Sequence, residues 1–188
     1  MVDPAVKLSQ DLIACPSVTP DDAGAQVLLG SMLREAGFDV HHLQFENVPN
    51  MFARIGTGGP HLCFAGHTDV VPPGPVDEWT FGPFNPHIEG DILYGRGASD
   101  MKSNVAAFIV AGMNFAKANP NFGGSISYLI TGDEEGPADF GTVKVLEWMQ
   151  QKGHVPDVAL VGEPTNPNAL GDEVKIGRRG SLSGKLTV

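Results

Sequence analysis

Leu62-Cys63-Phe64-Ala65-Gly66-His67-Thr68-Asp69-Val70-Val71 reads as a buried strand that runs into polar chemistry. Leu62 to Ala65 is apolar without alternation, the pattern of a strand covered on both faces. His67 and Asp69 follow two residues apart, and side chains at i and i+2 leave a strand on the same side. A histidine so placed can bind a metal while the neighbouring aspartate holds or polarises the ring. Taken alone, the triplet reads more readily as a surface His and Asp in a loop, so its weight comes from what surrounds it.

On the C-terminal side, residues 72 to 94 form a long segment rich in Pro and Gly, closing in a predicted hairpin at Ile88-Glu89-Gly90-Asp91-Ile92-Leu93. Tyr94-Gly95-Arg96-Gly97-Ala98-Ser99-Asp100-Met101-Lys102 then leads into a predicted helix from about Met101 to Ala118. Gly95 and Gly97 lack the third glycine and the preceding strand of a dinucleotide fingerprint. Ser125 to Thr131 is a predicted strand that ends in Gly132-Asp133-Glu134-Glu135-Gly136. A helix over Thr142 to Lys152 is closed by Gly153. Asp157 to Val161 is a further strand, ending in Gly162-Glu163-Pro164-Thr165.

On the N-terminal side, Asp3 and Pro4 are the N-cap and first position of a helix to about Ala14, with Leu8, Leu12 and Ile13 on one face. Pro16 stops it. Asp21 and Asp22 open a second helix bearing Val27, Leu28, Met32 and Leu33, with Gly37 at its C-terminal cap. Phe38 to Phe45 and Met51 to Ile55 are predicted strands joined to the His67 strand through the turn Gly56-Thr57-Gly58-Gly59-Pro60. Strands alternating with helices predict an α/β fold, a mostly parallel twisted sheet flanked by helices.

The 188 residues suffice for one domain with a core, and 41% apolar content is ordinary for a globular chain. A net charge of −10 argues against a nucleic-acid surface. Cys15 and Cys63 stand far apart in apolar settings, as reduced thiols of a cytoplasmic protein do. No apolar run approaches the roughly 20 residues of a membrane span, and Met1-Val2-Asp3-Pro4 does not open a signal peptide.

His67/Asp69, Glu134/Glu135 and Glu163 each follow an apolar strand, and Asp100 starts a helix. Alone, Asp100 reads as an N-cap and Glu134-Glu135 as a solvated turn. Together they fall where open α/β sheets build their sites, outside the carboxyl ends of the strands. One histidine with several carboxylates suits zinc, and carboxylate-bridged metal pairs occur in hydrolases.

Gly66-His67-Thr68-Asp69-Val70-Val71-Pro72, the Tyr94 to Lys102 stretch, Asp133-Glu134-Glu135-Gly136 and Gly162-Glu163-Pro164 resemble the dinuclear zinc aminoacylase and carboxypeptidase family. The resemblance implies a zinc-peptidase-like catalytic domain. His67 and Glu163 would bind one zinc, Asp100 would bridge two, and Glu135 would bind the second, with Co2+ as a substitute metal. Asp69 would orient His67. Glu134 would be the general base of amide hydrolysis, and a cis peptide would follow Asp100 at Met101.

Ile130 to Ala138 and Lys175-Ile176-Gly177-Arg178-Arg179-Gly180-Ser181-Leu182 resemble members that remove succinate from N-succinyl-LL-2,6-diaminopimelate, in lysine and diaminopimelate biosynthesis. Arg178 and Ser181 would contact that substrate, since an arginine fork matches a carboxylate; Arg179 reads equally as part of a basic turn. The alternatives are a sibling such as acetylornithine deacetylase, or a non-catalytic metal-binding remnant. Members of the family are longer homodimers. Residues 1–180 would then be the N-terminal portion of the catalytic domain and 181–188 the start of a dimerisation domain, and the chain alone would be inactive. His41, His42, His61, His87 and His154 match no ligand position of the family.

Overall fold

The computed structural model describes residues 2–177. Its element order is α1 (Pro4–Ile13), α2 (Ala25–Glu35), β1 (Asp39–Phe45), β2 (Val48–Ile55), β3 (His61–His67), β4 (His87–Glu89), β5 (Ile92–Tyr94), α3 (Ser103–Ala118), β6 (Ser125–Thr131), α4 (Thr142–Lys152) and β7 (Val158–Val161). Five strands form one sheet in the order β1-β2-β6-β3-β7, and β4 and β5 form a separate hairpin.

β3 pairs parallel with β6 and β7, while β2 pairs antiparallel with β1 and β6. Four of the five main strands therefore point the same way, as a mostly parallel sheet requires, and β2 is the inversion. Only two residues separate β1 from β2, with Glu46 at φ 51°, and so short a connection permits only antiparallel pairing.

Alternation along the strands divides the core. Met51, Phe64, Tyr128 and Ile130 face one side, packing with Leu8, Leu12, Leu29, Leu33, Val105 and Ile109 from α1, α2 and α3. Phe52, Cys63 and Leu129 face the other, packing with Val145 and Met149 of α4. Cys15 and Cys63 are both free thiols.

Helix signals at chain level hold closely. The Asp3 carboxylate accepts from the Ala5 N–H at 2.7 Å, and Leu8, Leu12 and Ile13 are buried. α4 has the predicted bounds, with Gly153 at φ 73° as its cap. Four details differ. α2 starts at Ala25 because Ala23 and Gly24 are left-handed, and the Asp22 carboxylate instead accepts from the Gln26 N–H. Its buried stripe runs through Ala25, Leu29 and Leu33, leaving Val27 exposed. α3 starts at Ser103, after a wide turn over Ala98–Lys102; its N-cap position is Lys102 rather than Asp100, and no side chain caps it. The predicted strands at Phe38 and Met51 begin at Asp39 and Val48. Arg178, Ser181 and the expected second domain from residue 181 lie outside the described residues.

Candidate metal centre

β3 carries His67 to the end of the sheet, where its imidazole is wholly buried. Its Nε2 faces three carboxylates: Asp100 Oδ1 at 3.1 Å, Glu163 Oε1 at 3.7 Å and Glu134 Oε2 at 3.9 Å. These come from the turn before α3, from the segment after β7 and from the segment after β6. The carboxylates are partly exposed, so the site opens to solvent on the side away from the sheet.

Each approach has a local cause. The Asp100–Met101 peptide is cis, as the resemblance implies, and Asp100 turns outward while Met101 is buried. Met101 then fills the space beneath the strand ends. A Cβ at Gly66 would lie 2.7 Å from its Cε, and one at Gly162 would lie 2.8 Å from that atom and 2.4 Å from the Phe64 ring. Gly162 therefore has to be glycine for the backbone to lie this close, and it delivers Glu163 to the site. Asn104 at the start of α3 donates to the Gly162 carbonyl, fixing the same turn.

His67 Nδ1 donates to the main-chain carbonyl of Asp69 at 2.9 Å, and the Asp69 carboxylate stands farther off at 3.5 Å. That carboxylate has closer partners: Oδ2 accepts from the Thr19 hydroxyl at 2.7 Å, the Glu135 N–H at 3.0 Å and the Glu134 N–H at 3.1 Å. The i, i+2 spacing indicates the nearness of Asp69 to His67 but not these three donors. Lys102 was also missed. It is fully buried, and Nζ donates to the carbonyls of Leu12 and Cys15 at 2.8 Å each, tying the end of α1 to the Asp100 turn. Burial lowers its pKa to about 8, partly opposed by the acidic groups around it. Nothing in its neighbourhood of Ser99, Asp100, Ser103 and Asn104 marks it as buried.

The electrostatics express crowding. Burial alone would lower the His67 pKa, but hydrogen bonding and the charge of Asp69, with the charge of Glu163, raise it to about 9. Glu135 is raised, first by burial and then by Asp100, with Glu134 and Asp69 adding to it and His67 opposing. Asp69 is lowered: burial works against ionisation, and hydrogen bonds from His67, Thr19 and the Glu135 N–H outweigh it. Negative charge thus gathers around one imidazole, which is what a bound cation relieves.

Two sets of donor atoms lie within 4.8 Å of one another, His67/Asp100/Glu135 and His67/Glu134/Glu163. The donors fit a zinc-like ion, one nitrogen with several carboxylate oxygens. Both glutamates of the adjacent pair reach the site. His67 is the only histidine in either set. His61 bonds Ser127 Oγ at 2.7 Å, His87 stacks on Phe81, and His41 and His154 pack around Trp148.

Comparison with known proteins places the chain in a family. The chain is 58% identical over 189 residues to the succinyl-diaminopimelate desuccinylase of Gluconacetobacter diazotrophicus, covering 98% of this chain and 49% of that protein. It is 56% identical to the enzyme of the same name from Thioalkalivibrio sulfidiphilus, covering 96% and 48%. The chain therefore spans about half the length of the curated relatives it matches. Among solved structures, the M20 family metallo-carboxypeptidase Sso-CP2 of Sulfolobus solfataricus superposes with a TM-score of 0.71 at 22% identity, covering 86% of this chain and 37% of that one. Human carnosine dipeptidase 1 gives 0.69 at 23%, covering 84% and 37%; both likenesses concern the fold. The model of peptidase family M20/M25/M40 matches residues 63–182, a span that takes in every residue converging on His67, and the chain belongs to that family.

Proposed function

We propose that this chain is the N-terminal part of a zinc-dependent amide hydrolase that removes succinate from N-succinyl-LL-2,6-diaminopimelate. The observation that carries the reading is the convergence of Asp100, Glu134 and Glu163 on His67 Nε2, with Glu135 beside them, in a chain whose relatives bear the desuccinylase name. His67 and Glu163 would hold one metal and Glu135 a second, with Asp100 available to both, and Co2+ could replace zinc. When bound, such a pair supplies Lewis acidity and lowers the pKa of water.

The chain's own groups do the remaining work. The Glu134 carboxylate accepts a proton from the attacking water as its oxygen adds to the amide carbonyl. It then returns that proton to the departing amine nitrogen as the C–N bond breaks, which releases succinate and the diamine. Adjacent Glu134 and Glu135 divide the labour, since one carboxylate cannot both hold a metal and shuttle the proton. Asp69 keeps His67 in position through the Nδ1 contact. Arg178 and Ser181 bind the carboxylates of the substrate. The working enzyme is a cytoplasmic homodimer whose further residues, beyond a dimerisation segment opening at 181–188, complete the catalytic domain; residues 1–188 alone turn over little or no substrate.

The deciding experiment is to assay the chain and a form extended to the length of its relatives with N-succinyl-LL-2,6-diaminopimelate and with an N-acetylated amino acid, at equal zinc. The extended form is expected to hydrolyse the succinyl amide preferentially. Preference for the acetyl substrate, or equal turnover by the 188-residue chain, overturns the reading.

A further inference from the structure

The connection between α1 and α2 does more than join two helices. Ser17 Oγ donates to the Thr68 carbonyl at 2.6 Å, the Val70 N–H donates to the Ser17 carbonyl at 2.9 Å, and the Thr19 N–H donates to the Val70 carbonyl at 3.2 Å. Val18 and Val70 form a parallel bridge. Residues 17–19 thus lie against the segment that follows His67 and hold it from outside the sheet.

Thr19 is the end of this lacing. Its hydroxyl donates to Asp69 Oδ2 at 2.7 Å, the same oxygen that accepts from the Glu134 and Glu135 N–H groups at 3.1 and 3.0 Å. Its methyl group closes against the next turn: a Cβ at Gly136 would lie 2.7 Å from Thr19 Cγ2. Asp69 is 1% exposed, so no bulk water substitutes for a lost donor. One buried carboxylate therefore joins the segment bearing His67 to the turn bearing Glu134 and Glu135, and a third segment fixes how that carboxylate is turned.

We infer that Thr19 is a positioning residue of the site, whose hydroxyl locks Asp69 so that His67 and the Glu134-Glu135 pair keep one relative placement. The inference rests on the hydrolase reading for its kinetic consequence, and on the metal-site geometry alone for its spectroscopic one. Without the hydroxyl, Oδ2 keeps two longer amide contacts at 3.0 and 3.1 Å, and the carboxylate can rotate. The metal ligands and the base then lose their common reference. Outer partners of this kind contribute about 10–100-fold to metal affinity or activity.

The test compares Thr19→Val, which keeps the shape and loses the hydroxyl, with Thr19→Ser, which keeps the hydroxyl and loses the methyl. The full-length protein is titrated with Co2+ and its visible absorption followed, and kcat and KM are measured with zinc. Thr19→Val is expected to bind Co2+ about 10-fold more weakly with altered absorption bands, and to lose about 10-fold in kcat with KM little changed. Thr19→Ser is expected to retain the parental spectrum and most of kcat. Parental Co2+ affinity and spectrum in Thr19→Val, even with a lowered melting temperature, overturn the inference, because the hydroxyl then serves folding only. If Thr19→Val does not fold, Thr19→Ser decides: a loss of Co2+ affinity there also overturns it. Absence of turnover in the parent on any acyl substrate, with the Co2+ difference intact, removes the hydrolase reading and leaves the positioning role standing.

Discussion

His67 and Glu163 face each other 3.7 Å apart across the site, yet they rest on very different supports. His67 ends a strand paired on both sides and is followed by Thr68, Asp69 and Val70, none more than 1% exposed. Glu163 follows β7, which pairs with β3 alone among the described residues and exposes Val158 by 57%, Leu160 by 42% and Val161 by 55%. Parallel strands are ordinarily covered on both faces, and an apolar strand left open is a surface that seeks a cover. One side of the site is thus fixed by burial and a dense set of hydrogen bonds. The other rests on an exposed edge strand, with Gly162 seated on Phe64 and Met101, its N–H bonded to the Ala65 carbonyl and its carbonyl to Asn104.

The sharpest way to probe the fixed side is chemical. In the extended form, Glu134→Gln is expected to lower turnover by about 10²–10⁴-fold while metal content, measured by elemental analysis, stays at the parental level. Loss of metal equal to that of Glu135→Gln would reverse the two roles. A packing probe comes next. Phe64→Ala, at the junction of β3 and the Gly162 turn, should cost about 3–5 kcal/mol in urea unfolding.

On the open side, Gly162→Ala forces a Cβ into the Phe64 ring, and such overpacking typically costs about 1–3 kcal/mol. It should also weaken metal binding, because Glu163 is the next residue. Unchanged metal affinity would mean that Glu163 adjusts freely. Leu160→Ser should change the stability of the 188-residue chain by only about 0.5 kcal/mol or less, as an exposed position allows. A cost matching that of Phe64→Ala would break the contrast between the two sides.

The smallest expected effect is on pH dependence. His42, His61 and His154 all have lowered pKa values, first through burial and then through Arg34 or Arg54. In the unfolded chain they take up protons at about pH 6.5, before the folded chain does. Their contribution to stability is therefore complete above that pH and lost as pH falls through the folded values. Replacing His154 with Phe should flatten the melting-temperature profile below pH 6.5; an unchanged slope would assign the acid sensitivity to other groups.

Near-neighbour physics made much of this molecule legible in the sequence. Asp3 caps α1, Gly153 closes α4, and Ser125–Thr131 is a strand with the expected bounds. Each signal is complete within a few residues, as capping and alternation are. The nearness of His67, Glu134, Glu135 and Glu163 was likewise readable, because strand ends are where such side chains can meet, whereas Asp100 reaches them from the turn before α3. Arg178 and Ser181 remain a reading of the sequence alone. The displaced stripe of α2 was not readable, since the sheet face decides which side of a helix is covered. The partners of Asp69 were beyond it as well. Thr19 lies 50 residues away in sequence and Glu134 65, and only the close packing of three segments around one buried carboxylate selects them from all the donors in the chain.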